Sequence, residues 1–241
     1  MIARVLATRA LLVVLLLPLT SSAGLVSGQS VAPAAVGAAF CDNVTEIPKA
    51  ECQALVDLYY GTGGSAWINK TGWLATFTPC SWHGVHCSNG HVSVLGLSAN
   101  SLSGSIPSSL GNLTGLGNLD LRNNQLTGSI PSTLGNLANL RYMQLENNRL
   151  GGSIPSNLGS LSMLEYLTLD NNDLTGSIPS SLGSLSNLQE LDLRNNHLTG
   201  AMPSSLGSLS SLHELLLTSN SMSGGVPSSL GNLSVLQTLL I

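Results

Sequence analysis

The chain has 241 residues and a formal net charge of -4, with only 8% of its residues charged, against about 25% in an ordinary globular protein. So sparse and acidic a complement excludes a nucleic-acid partner, because the attraction to phosphate on which such binding rests is missing. Losing Arg4 and Arg9 with a cleaved leader leaves six basic against twelve acidic residues, a net of -6.

The chain begins with Arg4 and Arg9, an apolar stretch from Leu11 to Leu19, and the small residues Thr20-Ser21-Ser22-Ala23, with Val26-Ser27-Gly28 as a second cleavage site. This order predicts a secretory signal peptide over residues 1–28. The apolar run is too short for a bilayer span, which needs about 20 residues. Four cysteines follow, Cys41, Cys52, Cys80 and Cys87. An even number in a chain bound for an oxidising compartment predicts disulfides. Of the three pairings open to them, Cys41 with Cys52 and Cys80 with Cys87 is favoured, since each closes a short local loop. Sequons at Asn43, Asn69, Asn112 and Asn232 are candidate N-glycosylation sites on the same route.

Residues 29–91 do not repeat and are expected to form an N-terminal cap. Within them Leu55, Leu58 and Tyr59 share one face of a helix predicted over residues 50–60, and Gly61 to Gly64 end it. Trp67, Trp73 and Trp82, the chain's three tryptophans, all fall in this segment. Bulky rings here can cover the first row of a stacked core and its open strand edge.

From residue 92 the chain repeats. Asn100, Asn124, Asn148, Asn172, Asn196 and Asn220 recur every 24 residues, each within a unit close to Leu-x-Leu-x-x-Asn-x-Leu-x-Gly-x-Ile-Pro-x-x-Leu-Gly. A fixed period of this length predicts a solenoid of six units over residues 92–241, plus the start of a seventh at Leu236. In the second unit Leu119 and Leu121 are expected to point inward while Asn118, Asp120 and Arg122 point out, the alternation of a strand. Stacked units then form a parallel sheet on the concave side. Asn124 turns the chain, with its amide paired to backbone groups inside the turn. Gly128 suits a bend, Ile130 returns to the core, and Pro131 keeps the convex segment from becoming an ordinary inner strand. A single unit buries too little to offset the ordering of its backbone, so stability must come from its neighbours. Leu236, Leu239 and Ile241 begin a seventh inward row with no polar cap, so either further sequence or a partner is expected to cover that edge.

The segment Leu119-Asp120-Leu121-Arg122-Asn123-Asn124-Gln125-Leu126-Thr127-Gly128-Ser129-Ile130-Pro131 and its copies resemble the plant-type leucine-rich repeat proteins. Pro79-Cys80-Ser81-Trp82-His83-Gly84-Val85-His86-Cys87 is similar to that family's cap signature, whose two cysteines pair. The preceding stretch, with Gly61-Thr62-Gly63-Gly64-Ser65-Ala66-Trp67 and Thr71-Gly72-Trp73-Leu74, looks more like protist versions. The resemblance covers roughly residues 44–241. It implies a right-handed α/β superhelix with a parallel concave sheet, an irregular convex side and a helical, disulfide-bonded N-terminal cap. It also implies extracellular or cell-surface recognition, as in receptor-like proteins, receptor-like kinase ectodomains and secreted polygalacturonase inhibitors. No membrane-spanning or kinase segment accompanies the repeats.

A protein, peptide or glycan ligand is expected on the concave face, in signalling or defence. The candidate binding residues are Asn118, Asp120, Arg122, Tyr142, Gln144, Glu146, Tyr166, Thr168, Asp170, Glu190, Asp192 and Arg194. Tyr142 and Tyr166 lie one unit apart and form a candidate aromatic platform beside acidic groups. The alternative is a secreted inhibitor of cell-wall-degrading hydrolases. No enzyme activity, metal or cofactor is expected. Asp120, Asp192, Glu190 and Glu214 have the spacing for glycosidase carboxylates, but a solvated acidic face is the better account. Cys80, His83, His86, Cys87 and His91 resemble metal ligands only superficially. Gly61-Thr62-Gly63-Gly64 lacks the Lys of a phosphate loop, and no nucleophile elbow accompanies His197 or His213. Convex serines, among them Ser105, Ser129, Ser153 and Ser177, form a ladder suited to an ordered lattice such as ice or a polysaccharide, although repetition alone produces the same ladder.

Overall fold

The apolar spacing that predicts a helix over residues 50–60 forms one at Lys49–Gly61, burying Cys52, Ala54, Leu55, Val56 and Leu58. The structure, a computed structural model, describes residues 39–241, and the signal peptide expected over residues 1–28 lies outside them. Thr62 ends the helix by donating both its backbone N–H, at 3.0 Å, and its hydroxyl, at 2.7 Å, to the carbonyl of Leu58. Two short disulfide loops hold the segment, Cys41 with Cys52 and Cys80 with Cys87, the pairing favoured from sequence.

Trp67, Trp73 and Trp82 are all buried. Their rings pack in series, with centroids 4.8 Å apart from Trp67 to Trp73 and 4.9 Å from Trp73 to Trp82. Each indole N–H finds an acceptor, Thr62, His83 and Thr76 respectively, as burial of that group requires. Glu51 ties the helix to the first strand. Although only 1% exposed, it accepts the N–H of Val92 at 2.8 Å and lies 2.6 Å from Nδ1 of His91.

The main sheet has eight strands. A hairpin of Val85–Ser88 and His91–Gly96 begins it. Parallel strands follow at Asn118–Asp120, Tyr142–Gln144, Tyr166–Thr168, Glu190–Asp192, Glu214–Leu216 and Thr238–Leu240. Each pairs with the next in the 24-residue register read from the repeat, so that Asn118, Tyr142, Tyr166, Glu190 and Glu214 lie side by side. The leucines expected inside form one continuous core, including Leu116, Leu119, Leu121, Leu126, Ile130, Leu134 and Leu137 from one coil. At the last strand Leu239, Leu240 and Ile241 are exposed.

The asparagine row does more than close its own turn. Asn124 donates to the carbonyls of Leu121 and Arg122 in its own coil and to that of Leu97 one coil back. Its Oδ1 accepts the N–H groups of Asn100 and Leu102, each at 3.0 Å. The same bridge recurs at Asn148, Asn172, Asn196 and Asn220, which makes the row a ladder between coils.

The side expected to be irregular is partly regular. After each Asn turn a short strand pairs in parallel with its neighbour, giving one ladder from Ser103–Ser105 to Gln125–Thr127 and another through Gly151–Ser153, Asp173–Gly176, His197–Gly200 and Ser221–Met222. A proline then breaks the strand and introduces one turn of 3-10 helix, as Pro131 does before Ser132–Asn136. Proline lacks the N–H that a continued ladder would need, so these strands stay short.

Candidate functional site

The candidate site is built on the outward positions of the main sheet. Strand pairing places Tyr142 opposite Tyr166. The two rings stack with centroids 5.2 Å apart and planes 15° from parallel. Tyr142 is 37% exposed, and the hydroxyl of Tyr166 donates to Oε1 of Gln189 at 3.2 Å. A large aromatic surface kept open to water and held in one orientation is suited to contact at low entropic cost. Glu190 and Glu214 continue the same column on the next two strands.

The neighbouring columns are charged, and here the structure separates residues that the sequence placed together. Asp192 is only 3% exposed. Arg194 grips it through Nε, at 2.9 Å and 3.1 Å from the two carboxylate oxygens, and through its terminal nitrogen at 2.5 Å. Asp192 and Arg194 therefore form an internal pair rather than free binding groups. Arg122 lies 3.4 Å from Asp120 and 3.6 Å from Glu146, and Glu146 also accepts the hydroxyl of Thr168 at 2.7 Å. Asn118 and Gln144 are half-exposed on the same face.

Among the described residues, no salt bridge reaches Asp170, Glu190 or Glu214. Burial, reinforced by the charges of Asp192 and Glu146, raises the Asp170 carboxyl to about 6, with Arg194 opposing the shift. Burial first, and then Glu214 and Asp192, also raises Glu190 above the usual carboxylate range. Both shifts come first from burial, and the neighbouring carboxylates add to them.

Two further groups belong to this face that the sequence reasoning missed. Arg141 pairs with Glu165 on the adjacent coil, and Gln189 orients Tyr166. Both belong to the column one residue before each strand. Reading that column across units as Arg141, Glu165, Gln189 and His213 would have exposed the pairing.

The remaining candidates scatter. Cys80 and Cys87 are bonded to each other, so they offer no thiolate to a metal; His83 and His86 are exposed. His197 is exposed on the convex strands, 3.8 Å from Asp173. Asn43, Asn112 and Asn232 are exposed. Asn69 is half-buried, with its amide nitrogen 3.2 Å from Nδ1 of His83 and its oxygen accepting the N–H of Thr71. The convex serines Ser105, Ser129, Ser153 and Ser177 are exposed and line a shallow groove with Pro131, Pro155 and Pro179.

These features define a leucine-rich repeat solenoid with a cysteine-paired cap. A family described as leucine-rich repeat region matches residues 144–241, and one described as leucine rich repeat matches residues 90–150. The chain is 31% identical to the BIR2 ectodomain from Arabidopsis thaliana, covering 75% of this chain and 96% of that one with a TM-score of 0.62. It is 36% identical to the Arabidopsis receptor kinase HAESA, solved in complex with the peptide hormone IDA and the co-receptor SERK1, over 78% of this chain and 33% of that one, with a TM-score of 0.67. A plant ice-binding protein is also similar, at 28% identity and a TM-score of 0.70 over 77% of this chain and 61% of that one. The chain belongs to the leucine-rich repeat family. It spans about a third of the receptor kinase ectodomain, 33%.

Proposed function

We propose that this chain is an extracellular or cell-surface recognition module that binds a protein or peptide through the concave sheet. The observation that carries the reading is the stacked pair of exposed Tyr142 and half-buried Tyr166 on the outward side of the concave sheet. Two disulfides in the cap support an oxidising compartment. No helix among the described residues is long and apolar enough to cross a membrane. The similarity to HAESA, solved with a peptide hormone and a co-receptor, supports a peptide ligand and a second protein partner.

The test is a binding screen of the purified chain against peptide and glycan arrays, repeated with Tyr142→Ala/Tyr166→Ala on the concave face and Ser129→Lys/Ser153→Lys on the convex face. Loss of binding in the tyrosine variant alone is the expected result. Loss in the serine variant alone would overturn the reading.

A second reading rests on the convex side. Its exposed serines and the similarity to a plant ice-binding protein favour binding to an ordered lattice. An ice-recrystallisation assay tests it: inhibition by the wild type that Ser129→Lys/Ser153→Lys abolishes supports the reading, and no inhibition removes it.

A further inference from the structure

From the charge and shape of the concave face, we infer that its ligand is a basic, arginine-bearing peptide segment, one guanidinium of which stacks on the Tyr142–Tyr166 pair while its N–H groups reach Glu190 and Glu214. This rests on the reading that the concave sheet is the binding face, and it adds the chemistry of the ligand.

Parallel pairing sets Glu190 one strand beyond Tyr166, and Glu214 one strand beyond that, steps of about 4.8 Å each. A planar cation on the aromatic pair therefore has a carboxylate within the reach of its own N–H fork. Aromatic faces attract cations through their quadrupole, and guanidinium both stacks and donates along fixed directions in a way that ammonium does not.

The carboxylates are available for this. Arg194 is committed to Asp192 and Arg122 to Asp120 and Glu146, leaving Glu190, Glu214 and Asp170 without an ion pair among the described residues. A neutral glycan would stack on the rings and donate hydroxyl hydrogen bonds to the two glutamates, but it would leave their charge uncompensated. An acidic ligand would be repelled by them.

The experiment titrates the whole chain, by fluorescence anisotropy, with labelled, end-blocked Gly/Ser nonapeptides carrying three arginines, three glutamates or neither, and with a neutral cellulose-type oligosaccharide. The arginine peptide is expected to bind at least about tenfold more tightly than the others and to weaken as salt is raised. Tyr142→Ala/Tyr166→Ala and Glu190→Gln/Glu214→Gln are each expected to weaken it by about tenfold. The Gln pair is nearly isosteric and removes repulsion, so it keeps a folded control for the charge. Equal binding of the neutral probes, lost in the tyrosine variant but kept in the Gln variant, overturns the cationic ligand and leaves the face intact. Binding of the arginine peptide that neither variant alters overturns both. No binding of the arginine peptide overturns the cationic ligand.

Discussion

Oδ1 of Asn172 accepts the backbone N–H of Leu150, one coil earlier, at 2.9 Å. The same side chain donates to the carbonyls of Leu145, Leu169 and Asp170, so one buried amide satisfies groups on two coils that water does not reach. Asn172→Ala leaves them unpaired. Each lost partner of this kind costs about 1–3 kcal/mol, and urea denaturation should show a loss of at least that size. Asn147→Gly is the control. Asn147 is exposed with φ of +56°, a conformation that glycine adopts without strain, and its substitution should leave the midpoint almost unchanged.

A second prediction concerns the glycine that follows the convex leucine in each unit. A Cβ built on Gly159 would stand 2.4 Å from the carbonyl oxygen of Ser181 in the next coil, far inside van der Waals contact. Gly159→Ala must push two coils apart, at a cost of about 1–3 kcal/mol. Gly231 holds the same place in its own unit, yet nothing lies within 4 Å of a Cβ there. Gly231→Ala should therefore be tolerated, and equal thermal shifts for the two variants would refute this account of coil spacing.

The repeat period made the main sheet legible because register follows from it directly: once Asn124 and Asn148 are equivalent, so are Tyr142 and Tyr166. The leucine rows were legible for the same reason. What the period could not show was how charged side chains divide among themselves. Asp192 and Asp120 occupy equivalent positions, but Asp192 is buried under a bidentate arginine while Asp120 is half-exposed with its arginine 3.4 Å away. Rotamer choice and local burial decide that, and neither has a sequence period. The short convex strands were missed because Pro131 and its equivalents argue against a sheet, although they only limit its strands to between two and four residues.

The cap offers a third prediction. The Cys80–Cys87 bond spans seven residues around Trp82, whose ring closes the end of the aromatic series. Cross-linking so short a loop is worth about 2–3 kcal/mol on the chain-entropy account. Cys80→Ser/Cys87→Ser should lower stability by about that amount, with tryptophan fluorescence reporting the cap. If the cap protects the first coil, its transition should precede loss of the repeat circular dichroism signal. Simultaneous transitions would mean that cap and repeats melt as one unit.

Stability should also depend on pH through Asp170. Its carboxyl is raised in the folded chain to about 6 from the ordinary 3.8. Below about 4 the group is protonated whether the chain is folded or not, so it contributes no pH dependence there. Between about 4 and 6 the folded state holds a proton that the unfolded state has lost, so stability falls as pH rises, and above about 6 the full penalty remains as a plateau. Asp170→Asn removes the buried charge while keeping the shape. The variant should match the wild type near pH 4 and exceed it increasingly up to about pH 6, by about 1–3 kcal/mol thereafter. Melting temperatures of both proteins from pH 4 to 8 would show this, and a constant difference across that range would mean that Asp170 carries no unfavourable charge in the fold.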